Sequence, residues 1–114
     1  MDHHVDLDEL ASRLARLVPE WRRLARVSAF TWRDEKAAWP QPITSDRDEV
    51  IVPESLGIRL LVDPADEAEI VVWTGGWADI GLLMDGEVLD LSPEFSDVDG
   101  AYAAIIETIE DFLA

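Results

Sequence analysis

Two carboxylates and an indole, Asp79, Asp90 and Trp77, come nearest to a reactive constellation in this chain. A carboxyl pair beside an aromatic ring can hydrolyse a glycosidic bond, one group protonating the leaving oxygen while the other serves as nucleophile or base. That chemistry needs a concave cleft and carboxyl groups roughly 5 to 9.5 Å apart, and 114 residues leave little wall to build one. Other catalytic types are scarcer. His3 and His4 are the only histidines and lie in an N-terminal segment expected to fray. The absence of Cys removes thiolate nucleophiles, thiolate zinc sites and disulfides. Lys36, the single Lys, sits in a polar stretch that offers nothing to activate an amine. The run Asp97-Val98-Asp99-Gly100 resembles a calcium loop, but aligning Gly100 to the required Gly puts Phe95 at the first ligand position and Ile106 at the last. A helix cap explains those residues instead, so no catalytic residue, metal or cofactor is expected.

Asp79 and Asp90 are placed by the stretch from Glu69 to Leu91, EIVVWTGGWADIGLLMDGEVLDL, which reads as three antiparallel strands. Gly75-Gly76 and Asp85-Gly86 each lie between runs rich in Val, Ile, Leu and Trp, as tight hairpin loops do. Taken as two-residue loops, they set Trp73 opposite Ala78 and Val71 opposite Ile80, then Leu82 opposite Leu89 and Ile80 opposite Leu91. Alternation gives a core face of Val71, Trp73, Ala78, Ile80, Leu82, Met84, Leu89 and Leu91. The other face carries Ile70, Val72, Thr74, Trp77, Asp79, Gly81, Leu83, Val88 and Asp90, and is either partly covered or a surface for a partner.

The flanking chain supplies cover. Asp6 and Glu9 form a capping box ahead of an apolar stripe of Leu7, Leu10, Ala11, Leu14, Leu17 and Val18. Pro19 ends or kinks that helix near Leu17, and a second helical piece continues the stripe with Trp21, Leu24 and Ala25 while Arg22, Arg23 and Arg26 face solvent. Val27 to Arg33 reads as a short strand, with a helical continuation as the alternative. Residues 34 to 49 form a long loop in which Trp39, flanked by Pro40, either plugs the edge of the core or anchors a partner. Strands are expected near 50–52, 56–63, 69–74, 77–85 and 87–91. Ser96 and Asp99 form a second capping box, opening a helix with Val98, Ala101, Tyr102, Ile105, Ile109, Phe112 and Leu113 on one side. The expected architecture is one α+β domain over residues 1–114: an antiparallel meander of four to five strands packed against N-terminal and C-terminal helices.

Charge is the most unusual property. The net charge is −16, and it is lopsided: residues 1–40 hold seven basic and seven acidic side chains, whereas residues 41–114 hold two Arg against 18 acids, with no base beyond Arg59. A field of one sign steers cationic partners and repels nucleic acid and anionic membranes. No apolar run approaches the roughly 20 residues of a membrane span, and the polar start MDHHVDLDEL does not read as a signal peptide. A cytoplasmic protein is expected.

A small, Cys-free, very acidic α+β chain with a leading helix, a meander containing VVWTGGWADIGLL and a closing acidic helix IIETIEDFL resembles the immunity proteins of bacterial polymorphic toxin systems, the TriTu-like families of actinobacteria in particular. The resemblance implies a stoichiometric inhibitor that binds a cognate toxin domain and does no chemistry itself. On this reading a basic protein partner docks on the mixed sheet face through Trp77, Asp79 and Asp90, with Trp39 added from the long loop. The alternatives are an acidic nucleic-acid mimic, whose carboxylates would be spaced like phosphates, and, third, a small carboxylate-dependent enzyme.

Overall fold

The computed structural model describes residues 2–114. The chain is α+β, with one six-stranded antiparallel sheet and its helices gathered on one face. Helix α1 (Leu7–Ala15) leads to a short α2 (Val18–Trp21), with Pro19 in its first turn. The strands follow as β1 (Arg26–Val27), β2 (Thr31–Asp34), β3 (Pro53–Val62), β4 (Asp66–Trp73), β5 (Trp77–Met84) and β6 (Glu87–Leu91), and α3 (Val98–Leu113) closes the chain. The sheet runs β1-β3-β4-β5-β6, and β2 also pairs with β3, so β1 and β2 share one edge position and β6 forms the other edge.

Both long helices form where capping and apolar spacing agree. Asp6 caps α1 by accepting the Glu9 N–H at 3.0 Å, and Leu7, Leu10, Ala11 and Leu14 are buried. At α3 the cap is Asp97, not the expected Ser96: its carboxylate accepts the Gly100 N–H at 2.8 Å, while Asp99 turns outward to Arg13 Nη1 at 2.6 Å. Ala101, Ile105, Ile109 and Phe112 bury the α3 stripe. The stripe expected beyond Trp21 stops early, because α2 ends there and leaves Leu24 exposed.

The first hairpin departs from the expected register by one residue. Its loop is Thr74-Gly75-Gly76, so Trp73 pairs with Trp77, Val72 with Ala78 and Ile70 with Ile80. Thr74 is drawn into the loop by its partners. Its N–H donates to Glu54 O at 2.9 Å, its hydroxyl to Val5 O at 2.9 Å, and its carbonyl accepts the His4 and Val5 N–H groups at 2.8 and 3.0 Å. A one-residue slip inverts a strand. Ala68, Ile70 and Val72 therefore face the core, and Val71 and Trp73, expected inside, lie on the opposite side. The same bonds pin the segment of His3 and His4 that was expected to fray; Val5 is buried, and His3 Nε2 lies 2.7 Å from Glu35 Oε2.

The second hairpin has the expected register, with Leu82 opposite Leu89 and Ile80 opposite Leu91. Asp85 (φ 53°) and Gly86 (φ 79°) supply the positive φ angles of a two-residue loop. Ile80 and Leu82 are buried as expected, but Leu89 and Leu91 are exposed. Dimensions explain this. A helix is about 10 Å across and strands lie about 4.8 Å apart, so two helices side by side cover about four strands, and β6 is the fifth position.

Two further expectations are corrected. The segment read as one strand over Val27 to Arg33 is broken at Ser28–Phe30, where Ser28 donates its N–H to Arg59 O and accepts the Arg59 N–H on its hydroxyl, both at 2.9 Å. Residues 50–52 are not a strand. Asp34 captures the N–H groups of Ile51 at 2.9 Å and Val52 at 3.1 Å, together with that of Lys36 at 2.9 Å, so a side chain takes the place of a ladder partner.

Two predictions follow from these loops. Gly76 has φ 106°, and a Cβ there would meet Phe95 O at 2.7 Å, whereas a Cβ on Gly86 meets nothing. Gly86→Ala is expected to cost about 1 to 2 kcal/mol of left-handed strain and Gly76→Ala clearly more, as read from urea unfolding of both variants. The N–H groups of Ile51, Lys36 and Val52 hold the Asp34 carboxyl below the usual range. A depressed carboxyl stabilises the fold above its unfolded value, about 3.9, and that contribution is lost as pH falls through the folded value. Asp34→Ala is therefore expected to melt below wild type near pH 7, with the gap closing as pH drops to about 2.

Candidate functional site

The sheet face opposite the helices is open, and its side chains fall in rows set by the register. One row runs Arg33, Ser55, Trp73, Trp77 across β2 to β5, and the next runs Thr31, Gly57, Val71, Asp79. A third runs Arg59, Glu69, Gly81, Asp90 across β3 to β6. Trp77, Asp79 and Asp90 thus share one face, as expected from sequence, and no helix covers it among the described residues.

The first row is a connected ladder. The Trp73 and Trp77 rings stack with centroids 6.1 Å apart and planes 21° apart, a packing favoured by directly opposed strand positions. The Arg33 guanidinium lies 5.1 Å from the Trp73 ring centroid and donates to Ser55 Oγ at 3.1 Å. Trp73 Nε1 donates to Asp79 Oδ2 at 2.9 Å, holding indole and carboxylate in one geometry. Trp73 is the site residue that sequence reasoning missed. Reading TGG, rather than GG, as the loop would have found it, since three-residue hairpin loops with a Gly at the last position are the next commonest kind.

Charge divides this face. Arg26, Arg33 and Arg59 lie along β1 to β3, and Glu67, Glu69, Asp79 and Asp90 along β4 to β6, with Arg59 Nη2 bridging to Glu67 Oε1 at 2.6 Å. Elsewhere bases are also paired: Arg47 grips Asp8 at 2.7 and 2.9 Å and holds that carboxyl below the usual range, and Arg13 bonds Glu9 and Asp99. Arg22, Arg23 and Arg26 are all exposed, as expected.

Around Gly81 the missing side chain leaves a shallow depression of about 270 Å³ bordered by Glu69, Asp79 and Asp90. Among the described residues no group of three or more His, Asp or Glu could hold a metal ion. Trp39 stands apart from the ladder: it is 80% exposed in the loop that leaves β2, so it does not plug the core, and no ring contact joins it to Trp77 among the described residues. Among the described residues no helix is long and apolar enough to cross a membrane. No protein-family model matches the chain, and neither a curated protein nor a solved structure matches it.

Because Trp77 is half-buried by Trp73 rather than enclosed, Trp77→Ala is expected to lower stability by about 1 to 2 kcal/mol. That is short of the roughly 3 to 5 kcal/mol of a large core truncation. The far-UV exciton couplet of the stacked indoles should vanish with either ring, a circular dichroism measurement that tests the pairing directly.

Proposed function

We propose that this chain is a non-enzymatic binding protein whose open sheet face docks a basic protein. On the resemblance of its layout to polymorphic-toxin immunity proteins, the partner is a toxin domain that it neutralises in the cytoplasm. The carrying observation is the uncovered face that joins a stacked Trp pair to Asp79, Glu69 and Asp90. Half-buried indoles held by neighbours offer a large, pre-ordered contact area, the kind of anchor that dominates interface energies. Acids on the β5 and β6 side add steering, which raises association rates toward a cationic surface and fades with salt. Trp39, exposed in the loop at the other margin, extends the same surface in this reading.

Nucleic-acid mimicry has less support. Three Arg occupy the β1 to β3 side of the face, so the carboxylates do not form an unbroken phosphate-like track. An enzyme reading has less still, because the Asp79 carboxylate is engaged by Trp73 and the Gly81 depression is shallow and open.

The test uses the chain as bait in its native host, followed by co-expression of the captured protein. Support requires a basic partner that is toxic alone and harmless beside the wild-type chain. Asp79→Lys with Asp90→Lys is expected to leave the melting temperature within a few degrees of wild type, slow association by about tenfold or more at low salt and abolish protection. Unchanged association kinetics in that double variant would remove this face from the reading.

A further inference from the structure

The outer edge of β6 is an open strand edge whose features select what can join it. Backbone bonds fix its parity. Ala78 donates to Pro93 O and Phe95 to Gly76 O, continuing the register in which Ile80 faces Leu91 and Leu82 faces Leu89. In an antiparallel ladder, bonded and non-bonded pairs alternate. The N–H and C=O groups of Val88 and Asp90 therefore point away from β5, toward a side where the sheet has no further strand. The opposite edge differs: there Trp32 and Thr44 exchange backbone bonds at 2.8 and 3.0 Å, so the loop covers β2.

Glu87–Leu91 carries no Lys, no Pro and no bulge. Val88 is 71% and Leu89 54% exposed, on opposite faces of the strand. Acidic charge is what remains. Glu87 and Asp90 lie on the strand, Asp85 and Glu94 flank it, and no base follows Arg59 in the chain. A second copy would bring another net charge of −16 to the same edge, and like charges across paired strands oppose pairing.

We infer that β6 accepts one added β-strand from a basic partner, an extended segment alternating apolar residues with Lys or Arg. The alternation follows from the two faces of the edge. On the helix side the incoming strand meets Leu89 and Leu91, which α1 and α3 leave uncovered; on the open side it meets Val88 and Asp90. Apolar side chains fit the first and cationic ones the second, while the backbone of Val88 and Asp90 supplies bonds that any sequence can use. This rests on the proposed docking of a basic protein and specifies how that protein would engage.

The test is amide exchange by NMR on the ¹⁵N-labelled chain, with a blocked peptide of about six residues, a typical strand length, alternating Val and Lys. Expected are slowing of exchange at Val88 and Asp90 by about tenfold or more at saturation, no effect from a Val and Glu peptide, and a monomer in sedimentation without peptide. Val88→Pro removes an outward N–H that β5 does not use, a position where strands tolerate Pro. It should abolish the protection while leaving the melting temperature within a few degrees. Failure of the peptide to bind overturns the inference, as does binding that perturbs Trp77 and Asp79 without protecting β6. So does self-association that protects the same amides. Capture of the native partner by Val88→Pro as well as by wild type, with loss in the Asp79→Lys, Asp90→Lys variant, would sink strand addition and leave the docking face standing.

Discussion

The fastening of Thr74 sets the faces of the sheet. One residue spends its N–H on β3, its hydroxyl on Val5 and its carbonyl on His4 and Val5, tying the N-terminal segment, β3 and the first hairpin together. Because strand side chains alternate, the length of that loop decides which half of β4 is core. With three residues in the loop, Ala68, Ile70 and Val72 join the core on the helix side, and Trp73 comes to lie beside Trp77 on the open face. The bonds of Thr74 in that corner and the stacking of the two indoles thus agree on one register.

The register of the second hairpin was legible because Asp85-Gly86 admits one reading, a two-residue loop with both φ angles positive. Gly75-Gly76 did not, since the decisive partner of Thr74 is a segment some seventy positions away in sequence. The same kind of non-local bond explains the other departures. Val50 to Val52 has strand composition, but the Asp34 carboxylate takes its N–H groups; Val27 to Arg33 has it too, but the Ser28 hydroxyl interrupts the ladder. The stripes of α1 and α3 were readable, because an apolar face of period 3.6 needs no knowledge of its partner, whereas the stripe expected through Leu24 was lost where α2 ends at Trp21. Trp77, Asp79 and Asp90 were placed together correctly because β5 and β6 were in register, while Trp73 was lost with β4.

Pairing of the bases inside the fold shapes the surface that is left. Arg13 joins α1 to α3, Arg47 joins Asp8 to the Val50 carbonyl and lies over Trp32, and Arg33 and Arg59 sit on the sheet with polar or acidic neighbours. These contacts consume cations in the half of the molecule that has them. Asp99 is taken by Arg13 and Asp79 by the Trp73 N–H, but among the described residues Glu87, Asp90, Glu107, Glu110 and Asp111 are exposed with no basic partner; the last turn of α3 has no base at all, against the preference of a helix C-terminus for positive charge. Local stability does not account for that distribution.

Two constraints meet at β6. The width of two helices leaves the fifth strand without cover, so an apolar edge is exposed where proteins ordinarily place Lys or Pro to prevent association. Acidic residues give the same protection against a like-charged copy and none against a cationic chain. A Lys on this edge would have guarded it against both, since it would repel a cationic segment along with any Lys-bearing copy. The sign of the guard is therefore informative: an edge protected by carboxylates alone discriminates between strands by charge, and the adjoining open face carries acids on its β4 to β6 side as well, at Glu67, Glu69, Asp79 and Asp90.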